Sequence, residues 1–361
     1  MNFLKKKIIN FEPKIFGMDL SDLSVKVFQI ETEGNHDQVR GYGSVNIPLG
    51  NIEDGRIIHK ENVVKAIQEV LASPKAKKIN SKKVICSLPE SKAFVRIINI
   101  PKMSQEEARE AVKWEMEANM PMAISEVYFD WQFIKGVSEN NAMQRVLTAA
   151  ISKEIVDDLM AVLAMAGLEV YGLEIESIAS IRSLIDIQVT QEKTTLIVDL
   201  GANRTSFIIA EGLVPYFTSS IPFSSDGLDN AICKALKLTL AEATEAKMIN
   251  GIENSDKKNP IFKAVESLLE NLVMEIMKTM DFYGEMSGNS QEVDEIILCG
   301  GGSNMKGLPE FLSQKINKEV VVGNPWVNLQ LNDDLPIINK DNSARFVTAI
   351  GLALRGAKYG D

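Results

Sequence analysis

Asp199 stands at the end of an apolar strand, before a turn of small and hydroxyl residues. The β-branched run Thr194–Val198 precedes it, and Gly201, Asn203 and Thr205 follow it. A carboxylate at such a turn can help to place Mg²⁺, and a glycine lets backbone N–H groups approach a phosphate chain. An ordinary hairpin, in which Asp and Gly only form the turn, explains the same residues when they are taken alone.

The same plan occurs near the start of the chain. The strand Lys14–Met18, which contains Gly17, runs into Asp19, and Ser21 and Asp22 belong to the turn that follows. Two copies about 180 residues apart predict two similar domains that face one ligand. The two strand-end aspartates are therefore the candidate ligands of a metal ion.

A third loop is rich in glycine and follows another apolar strand. The strand Val293–Cys299 leads directly into Gly300, Gly301, Gly302 and Ser303. Three glycines carry no side chains, so a flat base or a ribose can lie against their backbone. The loop is thus a candidate contact for a nucleoside.

In order and spacing, the three loops resemble those of the actin/Hsp70/sugar-kinase nucleotide-binding superfamily. The resemblance implies an α/β, actin-like (ribonuclease H-like) fold of two domains, with ATP and Mg²⁺ bound between them. It places the phosphates against Asp19–Ser21 and Asp199–Thr205, the adenosine near Gly300–Ser303, and the metal beside Asp19 and Asp199.

The superfamily also suggests two residues outside the loops. A helix that connects its domains starts with an acid or amide that orients the attacking water, and Glu176 matches that position, with Asp199 as a second catalytic candidate. Glu176 equally fits a plain first-turn acid that suits the helix dipole. Lys247 matches a lysine beside the ribose, but Thr244 stands where its acidic partner is expected, and Glu245 is one residue away.

The first turn departs from the superfamily pattern, which usually has a second glycine where this chain has Ser21. A Cβ at this position crowds the approach of backbone to phosphates, and Asp22 adds repulsion if it points inward. Both features predict weak or slow turnover. ATP would then act as a conformational ligand through its differential affinity for two states.

An inserted module indicates which family within this superfamily the chain resembles. Residues 115–133 read Glu-x-x-x-x-Met-Pro-Met and then Tyr-Phe-Asp-Trp-Gln, which is similar to the inserted subdomain of the PilM family of type IV pilus assembly proteins. The cell-division protein FtsA carries a related insertion. The resemblance implies that the protein docks the cytoplasmic tail of PilN, an inner-membrane protein. The acidic helix face Glu106–Glu117 would favour a tail with an arginine, although a solvated face explains it as well.

The resemblance covers nearly the whole chain and divides it into segments. The segments are 14–88 (subdomain 1A), 89–152 (inserted α+β subdomain 1C), 153–192 (return to 1A), 193–225 (2A), 226–290 (2B), 291–345 (return to 2A) and 346–361 (C-terminal helix on 1A).

Composition excludes several other functions. The 361 residues carry 39 basic and 49 acidic side chains, and a net charge of −10 disfavours a nucleic-acid binder. Three distant cysteines predict reduced thiols, and two histidines disfavour a His-based catalytic or metal site. The sequence contains no apolar run of membrane-spanning length, so we expect a cytoplasmic protein held at the inner membrane by its partners.

Three functions remain open. The first is an ATP-binding pilus scaffold with weak or no hydrolysis, which contacts PilN; the assembly ATPase and a second copy of itself are further candidate partners. The second is an FtsA-like, filament-forming actin homologue of cell division or of a secretion system, although residues 355–361 show no amphipathic anchor. The third is a small-molecule kinase, although no substrate site is evident.

Overall fold

The computed structural model describes residues 14–33, 36–134, 142–188, 193–252, 259–287, 292–331, 338 and 343–358. The sequence Gly34-Asn35-His36-Asp37 predicts a hairpin tip, and residues 136–144 predict a flexible hairpin. Both segments lie partly outside the described residues. The elements up to residue 184 are β1 (Ile15–Ser21), β2 (Ser24–Glu33), β3 (His36–Asn46), β4 (Ile52–Glu53), β5 (Arg56–Ile57), α1 (Lys60–Ala72), β6 (Lys75–Ala76), β7 (Lys83–Leu88), β8 (Ala93–Pro101), α2 (Gln105–Asn119), β9 (Val127–Phe133), β10 (Met143–Ser152), α3 (Lys153–Met165), β11 (Glu169–Ile175) and α4 (Glu176–Leu184).

The second half begins after residue 192 and has its own sheet. Its elements are β12 (Thr194–Leu200), β13 (Thr205–Glu211), β14 (Val214–Ile221), α5 (Ser225–Leu236), α6 (Leu240–Ile249), α7 (Pro260–Met286), β15 (Glu295–Cys299), α8 (Leu308–Ile316), β16 (Val320–Val322) and α9 (Val347–Lys358).

The two large sheets share one plan. The first has the strand order β11-β7-β1-β2-β3-β6, and the second has the order β14-β13-β12-β15-β16. In each, an antiparallel three-stranded meander continues into two parallel strands: β7 and β11 beside β1, and β15 and β16 beside β12. The two halves are thus similar, and each candidate aspartate lies at the end of a central strand.

The inserted module is a separate small layer. Its antiparallel sheet has the order β8-β10-β9, and Ala108, Val112 and Met116 of α2 pack into its core. The sequence Ser104-Gln105-Glu106-Glu107 predicts a capping box at the start of α2. It is present, since Ser104 and Glu107 satisfy each other's backbone N–H groups. The sequence also predicts that Ser152 caps α3, but its side chain makes no such bond.

Apolar residues at helical spacing, Met277 among them, predict a helix over Val265–Met280 that packs on the core. The observed helix α7 is longer. It begins at Pro260, where the Asn259 side chain accepts hydrogen bonds from the next two free N–H groups, instead of near Val265. Its buried stripe includes Leu269 and Leu272, but Met277 is 46% exposed, so the prediction that Met277 belongs to the core is wrong.

Two helices cross between the halves with almost no space between their backbones. An added Cβ at Gly351 of α9 would lie 1.9 Å from the carbonyl oxygen of Ala179 in α4. Gly17 of β1 packs against the other side of α9, where a Cβ would lie 2.3 Å from the carbonyl oxygen of Ala349. The glycines at these contacts therefore allow the backbones to approach closely.

Candidate functional site

A cavity of about 790 Å³ lies between the two halves. This volume is within the range of roughly 300–1,000 Å³ that is typical of small-molecule sites. The ends of β1 and β12, the start of α4 and the glycine loop all contribute to its wall. The predicted residues that line it are Asp19, Ser21, Glu176, Asp199, Gly201, Asn203, Lys247, Gly300 and Gly301.

Four other predicted residues lie outside the cavity wall, as far as the described chain defines it. Gly17 packs against α9, as described above. The Thr205 hydroxyl is buried and donates to the carbonyl oxygen of Phe223 at 3.0 Å. The backbone of Gly302 packs on Leu200, and Ser303 donates to the carbonyl oxygen of Gly300 at 2.8 Å. These four positions hold the loops in shape.

Asp19 is paired with a lysine that the sequence analysis did not select. In the register of the first hairpin Asp19 lies opposite Lys26, whose Nζ is 2.8 Å from Asp19 Oδ2. Both side chains are mostly buried, with 13% and 8% of the Lys26 and Asp19 side chains exposed. Lys26 also lines the cavity, so its ammonium is positioned to meet an anion there.

Asp199 lies on the floor of the cavity, next to a buried thiol. Burial raises its pKa to about 6, and the Asp19 carboxylate adds to this, while Lys26 and a hydrogen bond with Cys299 oppose it. Burial also raises the pKa of the Cys299 thiol, and the neighbouring Asp199 reinforces the effect. On the other sheet, burial and Asp19 raise the pKa of Cys86 in the same way.

Glu176 opens α4, as predicted, and is joined to a second carboxylate. The Glu90 N–H donates to Glu176 Oε2 at 3.3 Å, and the Ser177 N–H donates to Glu90 Oε2 at 3.0 Å. Burial raises the pKa of Glu176 well above its ordinary value, and the carboxylates of Asp19, Glu90 and Asp199 add to the effect. Burial likewise raises the pKa of Glu90.

Lys247 is held by an acid from a different helix. Its Nζ lies 2.8 Å from Asp229 Oδ1 and donates to the hydroxyl of Ser225 at 2.7 Å. Thr244 also lines the cavity, whereas the exposed Glu245 does not. The acid expected on α6 is therefore replaced by Asp229 of α5, which lines the cavity as well.

The glycine loop presents bare backbone to the cavity. Gly300 has φ +79°, and a Cβ there would lie 2.3 Å from Asp199 Oδ1, so this position is fixed by the fold. At Gly301 a Cβ would meet only Arg345, at 3.8 Å, which leaves open space on the cavity side. A flat group can therefore approach Gly301, with Arg345 beside it.

Ser21 and Asp22 both line the cavity, and protein partners engage both side chains. The Ser21 hydroxyl donates to the carbonyl oxygen of Ser24 at 3.1 Å. The Asp22 carboxylate accepts from the backbone N–H groups of Asp54 and Gly55 and from the side-chain amide of Asn203. Asp22 is thus held at the cavity wall by three donors.

The donor set fits a nucleotide better than a bare metal ion. Among the described residues, no three His, Cys, Asp or Glu side chains are grouped closely enough to bind a metal directly. Mg²⁺ keeps several waters and binds through one or two carboxylates together with phosphates, so Asp19 and Asp199 fit such a role.

No helix within the described residues is long and apolar enough to cross a membrane.

Solved structures with the same fold support the two-domain reading. The "PilM-PilN type IV pilus biogenesis complex" superposes with a TM-score of 0.81 at 24% identity, covering 96% of this chain and 99% of that one. The ethanolamine utilization protein EutJ of Carboxydothermus hydrogenoformans gives 0.55 at 15% identity, covering 96% and 92%. MreB5 of Spiroplasma citri bound to AMPPNP gives 0.51 at 14% identity, covering 96% of both chains.

These neighbours confirm the predicted actin-like α/β fold. The sequence pattern of the family "Type IV pilus assembly protein PilM" matches residues 17–357. Because that match spans both halves, the inserted module and the returning helix, the chain belongs to the PilM family of type IV pilus assembly proteins.

Proposed function

We propose that this protein is a cytoplasmic, ATP-binding scaffold of the type IV pilus assembly complex at the inner membrane. In this role it docks the cytoplasmic tail of a PilN-like membrane protein, and that tail holds it at the membrane. The observation that carries the proposal is the full-length similarity to the chain in the PilM–PilN complex, which includes the inserted module. The segment boundaries given in the sequence analysis are part of this proposal.

The cleft supports ATP as the ligand. Its volume suits a small molecule, the two Asp turns face each other, and the MreB5 neighbour was solved with the ATP analogue AMPPNP. In this arrangement Lys26 and the turn backbones contact the phosphates, and the open backbone at Gly301 contacts the adenosine. Mg²⁺, held through waters by Asp19 and Asp199, would neutralise phosphate charge.

Hydrolysis, if it occurs, depends on Glu176. Its carboxylate lines the cavity and burial raises its pKa, so it is positioned to orient an attacking water and to accept a proton from it. Glu90 donates to it through the backbone and so fixes its orientation. We propose that this turnover is slow and that ATP acts mainly by favouring one arrangement of the two halves.

Calorimetric titration of Mg-ATP, followed by a phosphate-release assay on the same sample, tests the nucleotide role. Binding without release supports a scaffold held by nucleotide. Rapid release supports a motor or a kinase instead. An absence of binding overturns the nucleotide role and leaves an interaction module.

The tail-docking role needs its own experiment. Glu106, Glu110 and Glu117 are exposed on α2, whereas Glu107 is committed to the capping box. Fluorescence anisotropy with a labelled PilN-like cytoplasmic tail should show weaker binding by a Glu106→Gln/Glu110→Gln/Glu117→Gln variant. Glu266→Gln on the exposed face of α7 serves as a charge control. If the tail does not bind the unmodified protein, the proposed partner is wrong.

A further inference from the structure

A short hairpin overhangs the mouth of the cleft. Strands β4 and β5 are joined by Asp54 and Gly55, which both have positive φ (+50° and +77°), as a two-residue type I′ turn requires. The N–H groups of this turn donate to the Asp22 carboxylate, from Asp54 at 3.1 Å and from Gly55 at 2.9 Å. The hairpin is therefore hydrogen-bonded to the turn that follows Asp19.

The carboxylates of Asp22 and Asp54 both contact the second half of the chain. The Asn203 side-chain amide donates to Asp22 Oδ2 at 3.2 Å, and an Arg204 guanidinium nitrogen lies 3.0 Å from Asp54 Oδ1. Lys92 also pairs with Asp54. Burial alone would raise the pKa of Asp54, but Lys92 and Arg204 outweigh it and keep the pKa below its ordinary value, so Asp54 stays ionised.

The two donors, Asn203 and Arg204, belong to the turn that follows Asp199. Asn203 and Arg204 line the cavity, and they lie at the turn of the β12–β13 hairpin, beyond Asp199. An amide N–H and a guanidinium that donate to a carboxylate will equally donate to a phosphate oxygen. A phosphate in the cavity can therefore compete for these two donors.

We propose that Asp22 and Asp54 form a latch across the cleft that competes with the terminal phosphate of the nucleotide for Asn203 and Arg204. The proposal rests on the nucleotide site proposed above. In this proposal a nucleoside diphosphate leaves the latch closed, and a triphosphate displaces it. The contacts are partly exposed, as ion pairs that a ligand can displace must be: 37% of the Arg204 side chain and 50% of the Asp54 side chain are accessible.

The first test compares two nucleotides. The Asp22→Asn/Asp54→Asn variant removes both charges with little change of shape, and Asn tolerates the positive φ at position 54. We expect the variant to gain at least about tenfold in affinity for Mg-ATP relative to Mg-ADP, measured by calorimetry. Asp281→Asn, on the exposed face of α7, is the matched control and should leave the ratio unchanged. An equal change for both nucleotides would overturn the competition.

The second test needs no nucleotide. Amide hydrogen exchange should be faster in peptides covering 52–57 and 201–206 of the double variant than in the unmodified protein, and unchanged in the control. Unchanged exchange at 201–206 would show that no latch joins the halves. If neither protein binds nucleotide, the competition and the proposed function both fail, while the exchange result still decides whether the halves are latched. Binding of ATP by the variant alone supports the latch.

Discussion

Asp19 and Lys26 face each other across the first hairpin and form a mostly buried ion pair at the floor of the cleft. A buried carboxylate that loses its cation keeps its desolvation cost without compensation. We therefore expect Lys26→Met to lower the free energy of unfolding by about 3 kcal/mol, measured by urea denaturation at neutral pH.

A double variant separates the charge from the loss of packing. Asp19→Asn/Lys26→Met removes the orphaned charge, and it should recover most of the stability that the single variant loses. Equal losses in the single and double variants would show that the lysine stem, rather than the pairing, stabilises the hairpin.

The raised pKa of Asp199 predicts a pH dependence of stability. The group ionises near 3.8 in the unfolded chain and near 6 in the folded protein, so the folded state retains a proton that the unfolded state has lost within this window. The folded state thus loses relative stability as the pH rises from about 4 to 6, and the penalty stays constant above this.

Replacing this group should remove its part of the pH dependence. The gain in Tm of Asp199→Asn over the unmodified protein should be larger at about pH 7 than at about pH 4. Asp281→Asn provides the reference, since its exposed carboxylate should give the same small difference at both pH values. A gain in Tm that does not grow with pH would contradict the assigned cause.

Gly301 offers a test of the nucleoside contact that leaves the fold intact. A side chain there meets open space in the protein, so Gly301→Val should block the base or ribose without loss of stability. We expect Gly301→Val and Asp199→Ala each to weaken Mg-ATP binding by at least about 1.4 kcal/mol, or tenfold, in calorimetry. Unchanged affinity in Gly301→Val would place the adenosine elsewhere.

The crossing of α4 and α9 should not tolerate even a methyl group. Gly351→Ala would bring a Cβ to 1.9 Å from the Ala179 carbonyl oxygen, so the helices must separate. We expect a loss of about 1–3 kcal/mol in unfolding free energy. Gly301→Ala makes the same chemical change in open space and should cause no loss of stability. Because Gly→Ala also lowers the entropy of the unfolded chain, it stabilises a site that has room for the methyl group. Comparable losses in both variants would show that the contact with Ala179 is not the cause.

The main features of the cleft follow from local sequence patterns, and some of the missed residues do as well. Once the first turn is placed at residues 22 and 23, the hairpin register pairs Asp19 with Lys26. The lysine could therefore have been predicted from the sequence. Asp54-Gly55 between isoleucine-containing strands is likewise a strong hairpin signal.

Other site residues carry no local signal. Glu90 follows Pro89 and begins a short 3₁₀ helix (Glu90–Lys92). It meets Glu176, 86 residues later in the chain, only because β7 and β11 pair in parallel. Asp229 reaches Lys247 through the packing of two helices. Such partners depend on tertiary packing, which periodicity and turn chemistry do not encode.

Two buried thiols lie next to the strand-end aspartates of the cleft, so their reactivity can report when the cleft opens. Cys86 lies next to Asp19 and Cys299 next to Asp199, and burial suppresses ionisation of both, while Cys233 is half-buried on α5. Because only a thiolate reacts quickly with an alkylating reagent, Cys86 and Cys299 are chemically silent while the halves stay packed. The rate at which Cys86 and Cys299 are labelled, compared with the rate for Cys233, therefore measures how often the floor of the cleft opens to water.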